Sequence, residues 1–108
     1  MVIIETSIFT KKITSLLNDD EYRTLQNLLV ETPNLGDIIQ GSGGIRKIRW
    51  GFSGRGKRGG VRIIYYWATN HNQIFMLYAY AKNEQDDLTK EQLSVLREVV
   101  NSEFKNEK

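Results

Sequence analysis

Val61-Arg62-Ile63-Ile64-Tyr65-Tyr66-Trp67-Ala68-Thr69, then Asn70-His71-Asn72, then Gln73-Ile74-Phe75-Met76-Leu77-Tyr78-Ala79-Tyr80-Ala81-Lys82 decide the fold. Two runs rich in β-branched and aromatic residues flank a short polar break, the pattern of a β-hairpin. With Asn70-His71-Asn72 as the loop, Thr69 pairs with Gln73 and Arg62 lies opposite Tyr80. Side chains alternate between faces along a strand. One face then carries Val61, Ile63, Tyr65 and Trp67 with Phe75, Leu77, Ala79 and Ala81, and reads as core. The other carries Arg62, Ile64 and Tyr66 with Met76, Tyr78, Tyr80 and Lys82, and reads as amphipathic. A slip of one residue in the register would exchange the two faces.

Upstream of the hairpin, Ile45 to Trp50 is a third strand, entered through the turn signal Gly41-Ser42-Gly43-Gly44. Val2 to Ile4 is a short strand. A first helix starts at Thr6 or Ser7 and runs to about Leu17, and Asn18-Asp19-Asp20-Glu21 opens a second that Pro33 stops. After the hairpin, Thr89 and Gln92 form a capping box, with Leu88 and Leu93 as its hydrophobic staple. Leu93, Leu96, Val100 and Phe104 continue the apolar stripe of a terminal helix. The order β-α-α-β-β-β-α predicts one α+β domain over residues 1–108. Its small antiparallel sheet is packed by two N-terminal helices and a C-terminal helix, and the tail is expected to fray from about residue 105.

Charge is distributed unevenly. The formal net charge is only +2. Yet Ile38 to Asn83 contains no Asp or Glu and carries Arg46, Lys47, Arg49, Arg55, Lys57, Arg58, Arg62 and Lys82. All nine glycines lie between Gly36 and Gly60. Cations on such a scaffold suit a polyanion with closely spaced phosphates. Lys57 and Arg58 precede Arg62 on the incoming loop, so Arg62, Lys82, Lys57 and Arg58 are expected to converge at one end of the hairpin beside Tyr78 and Tyr80. Arginine grips phosphate oxygens with a planar fork, lysine supplies a compact charge, and tyrosine stacks on unpaired bases.

Other chemistries find little support. Cysteine is absent and His71 is the single histidine, which leaves no thiolate or imidazole cluster for a metal. His71 falls in the hairpin turn, away from Lys82. Glu84, Asp86 and Asp87 read as acids complementing the next helix N-terminus. Ser42, Ser53 and Thr69 have no histidine–acid partner for a hydrolase triad, and Gly54-Arg55-Gly56-Lys57 lacks the spacing of a Walker loop. No apolar run approaches the roughly 20 residues of a membrane span, and Met1 to Glu5 does not begin like a signal peptide. A cytoplasmic protein without membrane contact or cofactor is expected.

The runs Gly41 to Trp50, Gly56 to Tyr66 and Tyr80-Ala81-Lys82-Asn83-Glu84 together resemble the RelE/ParE superfamily of toxins, most closely its HigB/RelE-like branch. The resemblance implies a type II toxin–antitoxin toxin: a metal-independent, ribosome-dependent mRNA endonuclease that cuts codons in the A site and halts translation. It implies a cognate antitoxin, often with a helix-turn-helix domain, and operator DNA bound only through the toxin–antitoxin complex. By position, Arg62 matches the family's catalytic arginine, Lys57 falls in the loop that supplies catalytic lysines, and Lys82 matches the basic residue ending the last strand. Arg46, Lys47, Arg49, Arg55, Arg58, Tyr78 and Tyr80 are the expected RNA contacts. No Tyr or His follows Tyr80, so the proton-transfer residue that several relatives carry near the C-terminus has no counterpart. Two other readings stay open: a gyrase inhibitor without enzymatic activity, as in the ParE branch, and a passive RNA-binding module.

Overall fold

The computed structural model describes residues 1–51 and 60–105. The central hairpin forms as β4 (Val61–Ala68) and β5 (Gln73–Ala81), joined by a single 3-10 turn at Thr69–His71. Asn72 closes the turn at φ 54°, a left-handed conformation that asparagine tolerates better than most residues. Around the hairpin stand β1 (Val2–Glu5), β2 (Asp37–Ile38) and β3 (Ile45–Trp50), giving a five-stranded sheet of order β1-β5-β4-β3-β2. The helices are α1 (Ser7–Leu16), α2 (Asp19–Glu31) and α3 (Lys90–Val100), the last running on into a π-helical turn. The α+β architecture is as expected. Two details are not. The two-residue β2 was not foreseen, and β1 pairs in parallel with β5, so the sheet is not purely antiparallel.

Local chemistry explains the helix boundaries. Thr6 caps α1 by accepting the Phe9 N–H. Asn18 and Glu21 form a reciprocal capping box on α2, and Thr89 and Gln92 form another on α3. Each box satisfies two backbone donors that a helix start leaves unpaired.

The register of the hairpin is right at one end and shifted at the other. Arg62 lies opposite Tyr80 as expected, but Ala68, not Thr69, faces Gln73. The difference is a bulge: Ile64 pairs with Tyr78 and the next residue, Tyr65, with Met76, leaving Leu77 as the extra residue. Neighbouring chain stabilises it. The Thr6 hydroxyl donates to the Leu77 carbonyl at 2.9 Å, and the Thr6 N–H to the Met76 carbonyl at 3.0 Å. The bulge also corrects the expected faces on β5. Met76 moves to the side of Ile63 and Tyr65, while Phe75 and Leu77 move to the side of Ile64.

Both sheet faces are covered. Phe9 and Ile13 of α1 and Leu25 and Leu29 of α2 pack on Ile63, Tyr65, Ile74 and Met76. Leu96 and Val100 of α3 pack on Ile45, Ile64, Phe75 and Leu77. The face expected to be amphipathic is therefore a second core along much of its length. Its cationic character survives at the end where β3 leaves and β4 enters.

Tyr65 ties the connection before β3 to the first core. Its buried hydroxyl donates to the Pro33 carbonyl at 2.6 Å and accepts the Gly36 N–H at 2.9 Å. Burial raises its pKa, partly offset by the Gly36 N–H. Tyr65→Phe strands both backbone partners, and the expected loss is about 1–3 kcal/mol. Urea denaturation should show it as a lower midpoint with an unchanged slope.

Candidate nucleic-acid interface

In an antiparallel pair, residues directly opposite project to the same face at a Cα separation of about 5 Å. Arg49 is opposite Arg62, Lys47 is opposite Ile64, and Arg62 is opposite Tyr80. Lys47, Arg49, Arg62 and Tyr80 thus share the α3-side face. Lys82 follows Ala81 by one residue and returns to that face by alternation, its N–H donating to the Gly60 carbonyl at 3.0 Å. Four cations, three on β3 and β4 and one just past β5, meet at one end of the sheet. Gly51 and Gly60 anchor the connection between β3 and β4 at this same end, because Trp50 pairs with Val61. Gly60 has φ +68°, and a Cβ there would stand 2.3 Å from the Trp50 carbonyl oxygen, so this junction requires glycine.

Like charges so close need counter-ions. The segment leading from β5 to α3 supplies them. Lys82 Nζ lies 2.7 Å from Asp86 Oδ1, and Lys47 Nζ lies 3.1 Å from Asp87 Oδ1. The Leu88 N–H also donates to Asp87 Oδ1, at 2.9 Å. Partial burial pushes the Asp87 carboxyl up, but the bonds from Lys47 and Leu88 and the charges of Lys47 and Arg62 hold it below the usual carboxylate range. The hydrogen bond and charge of Lys82 lower Asp86 similarly. Both carboxylates are ionised at neutral pH. Arg62 is only 7% exposed, fixed between strands with its charge felt by Asp87 and by Tyr80.

The expected site residues divide into three groups. Arg62, Lys82, Lys47 and Arg49 are brought together. Arg55, Lys57 and Arg58 lie outside the described residues. The remainder do not line an open part of this face, for identifiable reasons. Arg46 pairs with Tyr65 and faces the opposite side of the sheet. There its guanidinium donates to the carbonyls of Gly36 at 2.7 Å and Asn34 at 3.4 Å, so it clamps the β2 approach rather than lining the cationic face. Tyr80 is fully buried, so its ring offers no open surface for a base. Burial, with the Asp87 carboxylate beside it, pushes its hydroxyl up to about 12, partly offset by Arg62. Tyr78 is half-buried, 6.0 Å from the Tyr80 ring, and lines a groove between α1 and α3 with Ile8, Val95 and Leu96. His71 is exposed in the turn, as expected, with its ring against Phe104.

Two features of the site were not read from the sequence. Asp86 stands four residues after Lys82, a spacing that favours ion pairs in helices and could have been noticed here. The Lys47–Asp87 pair spans 40 residues and has no local signature. Beyond the short β2, the open edge of β3 also forms a cleft lined by Leu35, Asp37, Lys47, Arg49 and Trp50. It joins the cationic face to an indole. Among the described residues, no three His, Cys, Asp or Glu side chains are grouped to hold a metal ion, and no helix is long and apolar enough to cross a membrane. The chemistry on offer is the binding of anions by fixed and ion-paired cations.

Residues 30–108 match the family model described as the RelE toxin of the RelE/RelB toxin–antitoxin system. That span contains β2 to β5 and α3, hence every cation of the interface. Among solved structures, the E. coli toxin RelE, as a mutant in the free state, superposes with a TM-score of 0.53 at 14% identity. The match covers 79% of this chain and 86% of that one, a likeness of fold. The family match extends over most of the chain and takes in the whole cationic sheet end, and the protein accordingly belongs to the RelE family of toxin–antitoxin toxins.

Proposed function

We propose that this toxin is a ribosome-dependent mRNA endonuclease that cleaves codons in the A site without a metal, with the Lys47–Arg49–Arg62–Lys82 face holding the RNA backbone. The carrying observation is the placement of Arg49 directly opposite Arg62, with Lys47 and Lys82 ion-paired on the same sheet face. Cleavage proceeds by attack of a ribose 2′-OH on the adjacent phosphorus. It leaves a 2′,3′-cyclic phosphate and a 5′-OH. Arg62 presents a planar guanidinium held between strands, so it suits the charge that builds on the non-bridging oxygens in the transition state. Lys82 adds a second cation that swings from Asp86 to phosphate. Lys57, which the resemblance puts in the loop that supplies catalytic lysines, is one candidate for taking the 2′-OH proton, and Lys82 is the other. In this reading a cognate antitoxin, with a helix-turn-helix domain, silences the toxin in the cytoplasm, and the pair binds operator DNA.

A translating extract tests the proposal. Addition of the toxin should produce mRNA breaks at codon positions whose upstream fragments end in cyclic phosphate. Intact mRNA with blocked DNA supercoiling would point instead to a gyrase inhibitor. Retarded RNA with neither effect would point to a binding module.

A further inference from the structure

The acidic turn before α3 does more than complement a helix. Asp86 and Asp87 are adjacent in sequence, yet they are bound by lysines from separate parts of the sheet: Lys82 just past the end of β5 and Lys47 on β3. Arg62 lies between these strands on β4 and adds its charge to the field at Asp87. Two anions on consecutive links of a chain, each seated on its own cation, have the pattern of two successive phosphates on a nucleic-acid strand. We infer that Asp86 and Asp87 occupy the two anion seats of this face, and that an RNA strand binds by exchanging its phosphates for these carboxylates.

This inference rests on the functional reading above and adds a displaceable internal ligand to it. Exchange requires carboxylates that can leave, and both qualify. Asp86 has a side chain 90% exposed and Asp87 one 67% exposed. After release they remain close to the first turn of α3, where the positive end of the helix dipole accepts negative charge. The seats are better suited to the incoming ligand than to the resident one. A phosphodiester link presents oxygens to Lys47, Arg62 and Lys82 together, and the lysines are freed to follow it. The turn thus keeps the cations apart from unrelated anions and sets a threshold that only a correctly spaced polyanion exceeds.

The test uses a short single-stranded RNA with 2′-O-methyl sugars, which binds but has no hydroxyl to attack, followed by fluorescence anisotropy. Removing one resident carboxylate charge, by Asp86→Asn or Asp87→Asn, should tighten binding by about two- to fivefold each, the range set by an exposed ion pair. The double variant should tighten it further. Asp20→Asn is the control for net charge: it breaks an exposed pair with Arg23, 3.6 Å away on α2, and should change affinity less than twofold by this account. Circular dichroism melts monitor the fold. If Asp87→Asn unfolds the protein, Asp86→Asn still decides the matter, because its carboxylate is in solvent. Binding no tighter in the Asp86 and Asp87 variants than in Asp20→Asn overturns the inference. If Arg62→Ala then still weakens binding, the functional reading survives. If neither wild type nor any variant binds, both fall.

Discussion

Arg62→Ala should abolish codon cleavage in a translating extract, lowering the rate by about 10²–10³-fold, the effect of removing one donor that stabilises a developing oxyanion. The corresponding variant should also lose growth arrest on induction. The size of the effect follows from where the residue sits. Arg62 is in the middle strand of the cationic end, opposite Arg49 on one side and Tyr80 on the other. At 7% exposure its guanidinium has little freedom to be replaced by a neighbour. A flexible surface arginine would be worth far less, because ordering it at the moment of reaction costs side-chain entropy. Arg62→Lys keeps the charge but loses the planar fork, so it should recover only part of the activity. The deletion must leave the fold intact for the result to count, and a melt within a few degrees of wild type checks that. Full cleavage by a folded Arg62→Ala protein would remove this residue from the chemistry.

The largest stability effect is expected at Phe9. Its ring is fully buried, packed 5.9 Å from the Tyr22 ring, at the point where α1, α2 and the sheet meet. Phe9→Ala deletes an aromatic side chain from a close-packed site and leaves a cavity, a change that costs about 3–5 kcal/mol. Domains of this size have total stabilities of about 5–15 kcal/mol. Urea denaturation should therefore show a midpoint lowered by about a fifth or more, the ratio of these figures. Phe9→Leu conserves most of the volume and should cost less than about 1.5 kcal/mol. A Phe9→Ala midpoint equal to wild type would mean that α1 does not hold the sheet as described.

Much of this fold is legible in the sequence because its signals are local. The Thr89–Gln92 box lies within four residues and forms as read, and Asn18 to Glu21 opens α2 as read, where the structure adds a second box. The hairpin is legible for the same reason, and Arg62 meets Tyr80 as predicted. What the sequence concealed depends on partners far along the chain. The bulge at Leu77 is stabilised by Thr6, 71 residues away, and nothing within the hairpin marks it. Missing it inverted Phe75, Met76 and Leu77 and made a second core look like an open amphipathic face. Composition located the cationic segment but could not sort its members. Arg46 and Lys47 are adjacent, yet strand alternation sends one to backbone carbonyls under Tyr65 and the other to Asp87. Tyr80 read as a stacking platform because its strand neighbours were cationic, whereas α3 closes over it and leaves it wholly buried.

The central claim is that Lys47, Arg49, Arg62 and Lys82 act as one anion-binding face. It is tested most directly by the salt dependence of binding to the uncleavable RNA, measured for alanine variants at each position and at Arg46 and Arg23. Each phosphate contact contributes about 0.7 to the slope of log affinity against log salt for a single strand. The account predicts that each of the four variants weakens binding and flattens the slope by about that amount, while Arg46→Ala and Arg23→Ala leave the slope unchanged. Equal slopes across all six variants, or flattening confined to Arg46 and Arg23, would contradict it.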